Sequence, residues 1–381
     1  MSIPNAFQTA PSISELLRSR IDEGDFPSAV YLVAENGRGI FADAVGDAVV
    51  QPEKHPATLE TIYDLASLTK PLVTGLICAR LVEAGRLIID KPVATYLSEF
   101  NRPDKNAITV RQLLTHTSGL PAWRPLYLLA DAPSGTLEAI ANEGLEYESG
   151  TRVVYSDLGF ITLGFLLQRV TNHSLIDLVR DQIISPLGLE HTFFNPQEAF
   201  RTGIAACESG NNYERTVCET DYASGHPTQW RSEIIWGQVH DGNAHFLGGA
   251  AGHAGLFSNV KETLRIANEF IGGLSQLLSA ETCELFKQNM THGLNEARSF
   301  GWQLAATRDS TAGPALPPDA FGHTGFTGTS CWIDAERERV FILLTNRTHN
   351  RLLPFANINA TRREFHTLAV AALDSSHVEQ R

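Results

Sequence analysis

Cysteine is scarce in this chain. Only five occur in 381 residues, at Cys78, Cys207, Cys218, Cys283 and Cys331. They are odd in number, scattered, and form no Cys-x-x-Cys pair. That argues against a disulfide framework and a thiolate zinc site, and they read as reduced thiols. Positive charge is also short. Thirty Lys and Arg stand against 43 Asp and Glu, a net charge of −13. A nucleic-acid surface or an anionic membrane is therefore not an expected partner. No apolar run approaches the length of a membrane span. Residues 1–14 lack a basic stretch followed by an apolar one, so no secretory signal is expected and a cytoplasmic location is. Internal repeats and low-complexity segments are absent. What remains is an ordinary globular balance, 43% hydrophobic and 19% charged. The length suits one large domain or two intimate ones.

The ends of the chain read differently from its middle. Residues 13–21 carry Ile13, Leu16, Leu17 and Ile21 at helical spacing, with Ser12 as the expected cap. Apolar runs at 28–34 and 39–45 flank Asn36 and Gly37, a strong hairpin signal. From about 88 to 196 the pattern is mostly helical. Helices are expected from Thr109 to Gly119, over 156–170 and over 174–184. Residues 197–247 carry no assignable pattern. The run 248–255 is rich in glycine and alanine, which suggests close backbone packing or a wall near a ligand. Helices are expected again at 260–274 and 280–290. Strands follow at 330–333 and 339–345, then a closing helix at 361–373. The simplest arrangement is α+β: an antiparallel sheet built from residues 10–65 and 255–375, flanked by helices, with a mostly helical region, 66–254, inserted between.

One stretch, residues 64–70, organises this layout. It ends a strand-like run and opens an apolar helical pattern through Leu72, Val73, Leu76 and Ile77. Ser67 and Lys70 lie one helical turn apart and share a face. A serine hydroxyl is a weak nucleophile until a neighbour takes its proton or repels it. A lysine one turn away does this as a base or as a fixed charge. The N–H of Ser67, at a helix start, can face a developing oxyanion. Pro71 falls just beyond the turn where a missing N–H is harmless, so the first turn is expected to be irregular or tight.

Two further motifs follow in order. Tyr155, Ser156 and Asp157 sit where an extended run meets a helix. His323, Thr324, Gly325, Phe326, Thr327 and Gly328 precede the last strand pair. Taken singly, each suits a helix cap or a glycine-rich turn. Together they resemble the motif set of the penicillin-recognising serine hydrolases: Ser-x-x-Lys, then Tyr-x-Asn, then Lys-Thr-Gly or His-Thr-Gly. The chain is similar to the class C β-lactamase-like group in particular, which includes esterases, D,D-peptidases and acyltransferases. The segments 113–121 and 248–258 agree, and the resemblance runs from about 25 to 372.

The resemblance implies a β-lactamase/transpeptidase-like fold and a role for each residue. Ser67 is the expected acylated nucleophile, with Lys70 and Tyr155 handling its proton. The N–H groups of Ser67 and Phe326, the latter expected on the strand after His-Thr-Gly, form the oxyanion hole. His323, Thr324, Gly325 and Thr327 line the substrate side, with Asp157 beside them. Asp157 stands where the group usually has asparagine. An ionised aspartate cannot donate to an amide carbonyl, and it favours a charged Lys70. Tyr155 is then the expected working base, with Lys70 as its electrostatic support. His323, where lysine is the alternative, is mostly neutral at pH 7, so neutral esters are favoured.

The expected function is a carboxylesterase or amidase acting on small acyl substrates, with no cofactor. A β-lactamase or D,D-peptidase is the near alternative. Two readings from other classes stand beside it. His240, Asp241, His245 and His253 could form a metal hydrolase centre, with residue types that suit zinc. A non-catalytic binding protein could use the same fold.

Overall fold

The computed structural model describes residues 7–221 and 230–379. Among them nine strands form: β1 (Ser28–Glu35), β2 (Arg38–Val49), β3 (His55–Pro56), β4 (Tyr63–Asp64), β5 (Phe257–Ser258), β6 (Gln303–Leu304), β7 (Phe321–Thr324), β8 (Ser330–Asp334) and β9 (Arg339–Thr345). Seven make one antiparallel sheet in the order β3, β2, β1, β9, β8, β7, β6; β4 and β5 pair separately. The first and last long strands are neighbours, with Val30 opposite Leu344. The sheet is thus built from both chain ends, and its architecture is α+β with helices on both faces. The β1–β2 turn has positive φ at Asn36 (51°) and Gly37 (74°). Both central residues of a type I′ hairpin need that geometry.

The two faces of β1 feed two cores. Val30, Leu32 and Ala34 join one apolar cluster with Leu72, Leu76, Val260 and Leu264. Ala29, Tyr31 and Val33 join the other with Ile13, Leu17, Phe365, Ala369 and Leu373. Strict alternation along the strand sends successive side chains to opposite faces. Each fully buried Leu, Ile, Val or Phe contributes about 1.5–3 kcal/mol. The second cluster is covered by the helices Pro11–Asp22 and Asn359–Glu379, the first by the long middle of the chain.

Several expected helix ends shift. The first helix starts at Pro11, with Ala10 rather than Ser12 at the cap. Proline tolerates the first position because that N–H has no helical acceptor. Thr109 does cap its helix, in a reciprocal capping box with Gln112. That helix stops at Leu114, short of Gly119, and His116 turns to a positive φ of 58°. The turn lets His116 Nδ1 accept the N–H of Ser156 at 3.0 Å. The helix at 174 runs on to Leu187 through a wide turn at Arg180–Ile184. The helices at 260 and 280 end early, at Ala267 and Cys283, each followed by a short 3-10 turn. In the segment without a sequence pattern, helices form at Asn212–Asp221 and Gly242–Phe246. Among the described residues no helix is long and apolar enough to cross a membrane.

Candidate active site

The turn carrying Ser67 is held from three sides. Asp64 ends β4; its Oδ1 accepts the Ala66 N–H at 2.8 Å and its Oδ2 the His240 N–H at 2.7 Å. Burial raises the Asp64 carboxyl above its ordinary range, and those two bonds oppose the rise. Ala66 takes a positive φ of 47°, an uncommon state for a residue with a Cβ. A 3-10 turn, Ala66–Leu68, then passes into widened turns over Lys70–Gly75 before a regular helix, Leu76–Glu83. Pro71 lacks an N–H, and the ladder adjusts around it. The outcome matches the irregular start expected from the sequence.

From the far side, Thr327 Oγ1 donates to the Asp64 carbonyl (2.8 Å) and Thr329 Oγ1 to that of Leu65 (3.0 Å). These bonds clamp the β7–β8 turn onto the Ser67 turn. Gly325 lies at the clamp. A Cβ there would meet Thr329 Oγ1 at 2.1 Å and the Leu65 carbonyl at 2.6 Å. The approach therefore requires glycine.

Lys70 is fully buried. Its ammonium contacts Ser67 Oγ at 2.9 Å, the His253 carbonyl at 3.2 Å and Asp157 Oδ1 at 2.7 Å. Together with the Tyr155 phenol these oxygens surround the ammonium. Burial works against that charge, but Asp157 and Tyr155 outweigh it, and the net displacement is upward. Tyr155 leans over Lys70, with Nζ 4.8 Å from its ring centre. His116 and His323 pack around the same ring, at 4.7 and 5.7 Å between centres. Burial raises the Tyr155 phenol, Lys70 opposes this and Asp157 adds to it; the net shift is upward, with hydrogen bonds to Lys70 and Ser67. Ser156 caps the helix Asp157–Thr171 by accepting the Gly159 N–H. Asp157 thus occupies the first turn, where the helix end favours a negative charge.

The glycine-rich run supplies the floor. The Gly252 carbonyl accepts from Thr74 Oγ1 at 2.7 Å. A Cβ on Gly252 would strike the Phe160 carbonyl at 2.1 Å. Close packing against that helix is what delivers the His253 carbonyl to Lys70.

Ser67, Tyr155, Asp157, His323, Thr324, Gly325 and Phe326 line one cavity of 740 Å³. His323 Nδ1 bonds the Thr324 carbonyl at 2.8 Å. Burial, with Lys70 and Arg298 nearby, lowers its imidazole well below the usual value, so it is neutral. Phe326 sits in the turn after β7, not on a strand as expected. Among the described residues its N–H has no acceptor. Thr327, expected on the substrate side, does not reach the cavity. It is 1% exposed and its hydroxyl is committed to Asp64.

Several cavity residues carry no sequence signal. Arg362 is 5% exposed; it donates to the carbonyls of Gly325 (3.0 Å) and Thr329 (2.9 Å) and to Asn359 Oδ1 (2.9 Å). Arg347 donates to the carbonyls of Phe326 and Ala356, each at 2.7 Å. Among the described residues neither arginine has a carboxylate within ion-pair distance. Both line the cavity, together with Glu214 and Asn359. A second cavity of 480 Å³ lies beyond Tyr155, His323 and Thr324 and contains Arg298, which is paired with Glu296 at 2.7 Å. These residues come from segments far apart in the chain, so no local pattern announces them.

The alternative metal cluster is not assembled. His240 pairs with Glu208 at 2.9 Å and His253 with Asp241 at 2.9 Å, while His245 joins neither pair among the described residues. The helix Gly242–Phe246 begins just after Asp241, whose Oδ1 is taken up by the cap bond from the Ala244 N–H and by His253. Among the described residues, Asp157, Asp241 and His253 are the one group of three whose ligand atoms all lie within 4.8 Å of one another. The cation beside them is the Lys70 ammonium.

Comparison with known proteins bears on the family and the fold. The family profile described as "Beta-lactamase" matches residues 13–362. A relative from Escherichia coli K12, named "Putative D-alanyl-D-alanine carboxypeptidase", is 34% identical over 367 residues, covering 88% of this chain and 81% of its own. The fold resembles that of EstCE1, described as a hydrolase with promiscuous acyltransferase activity: TM-score 0.71, 24% identity, 94% of this chain and 98% of the other. It also resembles a penicillin-binding protein homologue from Caulobacter crescentus: TM-score 0.71, 20% identity, 98% and 100% coverage.

Proposed function

Since the chain belongs to the beta-lactamase family of serine hydrolases, we propose that it hydrolyses small esters through an acyl-enzyme on Ser67. The observation that carries this reading is the contact of the Ser67 hydroxyl with the buried Lys70 ammonium at 2.9 Å, inside a cavity that also holds Tyr155. A carbonyl placed over Ser67 would direct its oxygen to the N–H groups of Ser67 and Phe326. Two such donors stabilise the charge that develops on acyl transfer. Two features favour esters over penicillin-type amides. Asp157 offers no donor to an amide carbonyl, and His323 presents no charge to a carboxylate.

A second reading rests on Arg362. This buried cation faces the same cavity without a carboxylate partner among the described residues. It supports a substrate with a free carboxylate, as the name of the Escherichia coli relative suggests. The test is kcat/KM for a neutral aryl ester, a carboxylated β-lactam and a D-Ala-D-Ala peptide. The ester should be preferred, and His323→Lys should raise the carboxylated substrates relative to it. A wild type that prefers the peptide would replace the first reading with the second. A soluble cytoplasmic enzyme with a small-molecule substrate is the proposed setting.

A further inference from the structure

The Ser67 cavity is larger than a short ester needs. Its 740 Å³ falls in the range that encloses a drug-sized molecule. Its two sides also differ in chemistry. Tyr155, His323, Thr324 and Asn359 border the second cavity as well, whose other lining side chains are all polar or charged. Tyr213, Phe326 and Phe355 line the first cavity and not the second.

These three rings come from separate parts of the chain: the helix Asn212–Asp221, the turn after β7, and the segment between β9 and the last helix. They meet as a triangle. The Tyr213 and Phe326 centres are 4.8 Å apart, and Phe355 is 6.1 Å from each. The Phe326 ring also meets the Arg347 guanidinium, 5.0 Å from its centre, and the His240 ring at 5.5 Å. Tyr213 is different, because 38% of it stays exposed. Its ring therefore has surface to offer a ligand. Val217, four residues on and so on the same helix face, lines the cavity beside it. Glu214 adds no free acceptor to this wall. Its two oxygens accept from the Gly242 N–H at 2.7 Å and from the Tyr127 hydroxyl at 2.9 Å.

We infer that this aromatic triangle is the subsite for the acyl group of the substrate, that it takes an aryl ring or a medium-length alkyl chain, and that Tyr213 sets the preference. The inference rests on the acyl-enzyme reading above and names its substrate class: esters of apolar acids. Phe326 ties the subsite to the chemistry. Its N–H is the proposed partner of the carbonyl oxygen, so a substituent on the carbonyl carbon starts beside its ring. An ester carbonyl carries two substituents. The leaving alcohol needs hydrogen-bond partners, which stand on the side of Tyr155 and His323. The acyl substituent needs none and takes the aromatic side, where covering the rings removes apolar surface from water.

The experiment is kcat/KM over two series. Nitrophenyl acetate, butyrate, hexanoate and phenylacetate vary the acyl group; methyl, butyl and hexyl acetates vary the alcohol. The acyl series should rise by up to about fourfold for each methylene laid on the rings, and the alcohol series should stay nearly flat. Tyr213→Ala should lower the phenylacetate-to-acetate ratio by about tenfold, Phe355→Ala should lower it too, and Tyr213→Phe should keep it. Both esters report on the same folded fraction, so partial unfolding cannot move that ratio. In an enzyme that a fluorophosphonate labels on Ser67, three results would each overturn the inference: a flat acyl series, a rise in the alcohol series instead, or an unchanged ratio in Tyr213→Ala and Phe355→Ala. Absence of label on Ser67, with turnover intact in Ser67→Ala, would instead sink the acyl-enzyme reading, and the inference with it.

Discussion

The two walls of the cavity balance their charges in different ways. On the Ser67 side, side chain meets side chain: Lys70 with Asp157, His253 with Asp241, His240 with Glu208. On the β7–β8 side, Arg347 and Arg362 direct their donors mainly to backbone carbonyls, those of Phe326, Ala356, Gly325 and Thr329. Paired side chains can exchange protons. Carbonyls cannot take one, so the second wall is suited to holding a position. On the proposed reading the first wall serves the chemistry and the second holds the turn that carries the Phe326 N–H.

The contrast is tested most severely by Ser67→Ala, which leaves both walls intact and removes what they act on. Ester turnover should fall by about 10⁴-fold or more, with fluorophosphonate labelling lost and the melting temperature nearly unchanged. Full turnover in this variant would mean that neither wall serves a serine.

Next comes Arg362→Gln, which removes the fork holding the Gly325 and Thr329 carbonyls. If the second wall positions the oxyanion donor, kcat for neutral esters should fall by about 10- to 100-fold, in the range of a weakened oxyanion contact. A change confined to KM for carboxylated substrates would make Arg362 a substrate anchor instead. Steady-state kinetics on both substrate classes distinguishes the two.

A lesser change is expected from Thr327→Val, which cuts the bond to the Asp64 carbonyl between the walls. Leaving a buried acceptor without its donor costs about 1–3 kcal/mol. Denaturant unfolding should show that loss. An unchanged midpoint would mean that the clamp contributes nothing to stability.

The most modest effect concerns Glu214, on the cavity wall. Burial, then the neighbouring Asp241, pushes its carboxyl up to about 7 from an ordinary 4.5. Between those values the folded state therefore holds a proton that the unfolded state has released. Stability from this group is complete below 4.5 and is lost as pH rises toward 7. Burial acts on Asp241 as well, but His253 overrides it and the net shift is downward, so its own contribution is lost only as pH falls much lower. Glu214→Gln should raise the melting temperature at about pH 8 and leave it almost unchanged at about pH 4.5. Equal shifts at both values would argue against a held proton.

The legible parts of the site are those where partners are close in the chain. Ser67 and Lys70 share one turn, and Asp157 follows Tyr155 closely in the next motif. Thr109 and Gln112 form their capping box within a single helical turn. The β1–β2 hairpin was equally plain, because Asn36 and Gly37 tolerate positive φ. Helix ends were harder. Gly119 is a sound stop signal, but the helix had already ended at Leu114, where His116 turns to serve Ser156. Thr327 lies beside the His-Thr-Gly run, a place that points to a substrate contact; its hydroxyl instead faces a carbonyl 263 residues away in sequence.

Residue order alone accounts for the alternation that makes β1 a two-sided strand, the turn that joins it to β2, and the spacing of Ser67 with Lys70. These depend on local periodicity and on the conformational freedom of single residues. Packing across the whole chain was needed for the rest. It makes His253 give Lys70 a carbonyl while its ring goes to Asp241, which divides the alternative metal cluster. It also sets Arg347 and Arg362 to hold the turn carrying Phe326. Those outcomes depend on which distant backbone groups burial leaves in need of a donor. A buried carbonyl must find its partner wherever the fold brings one.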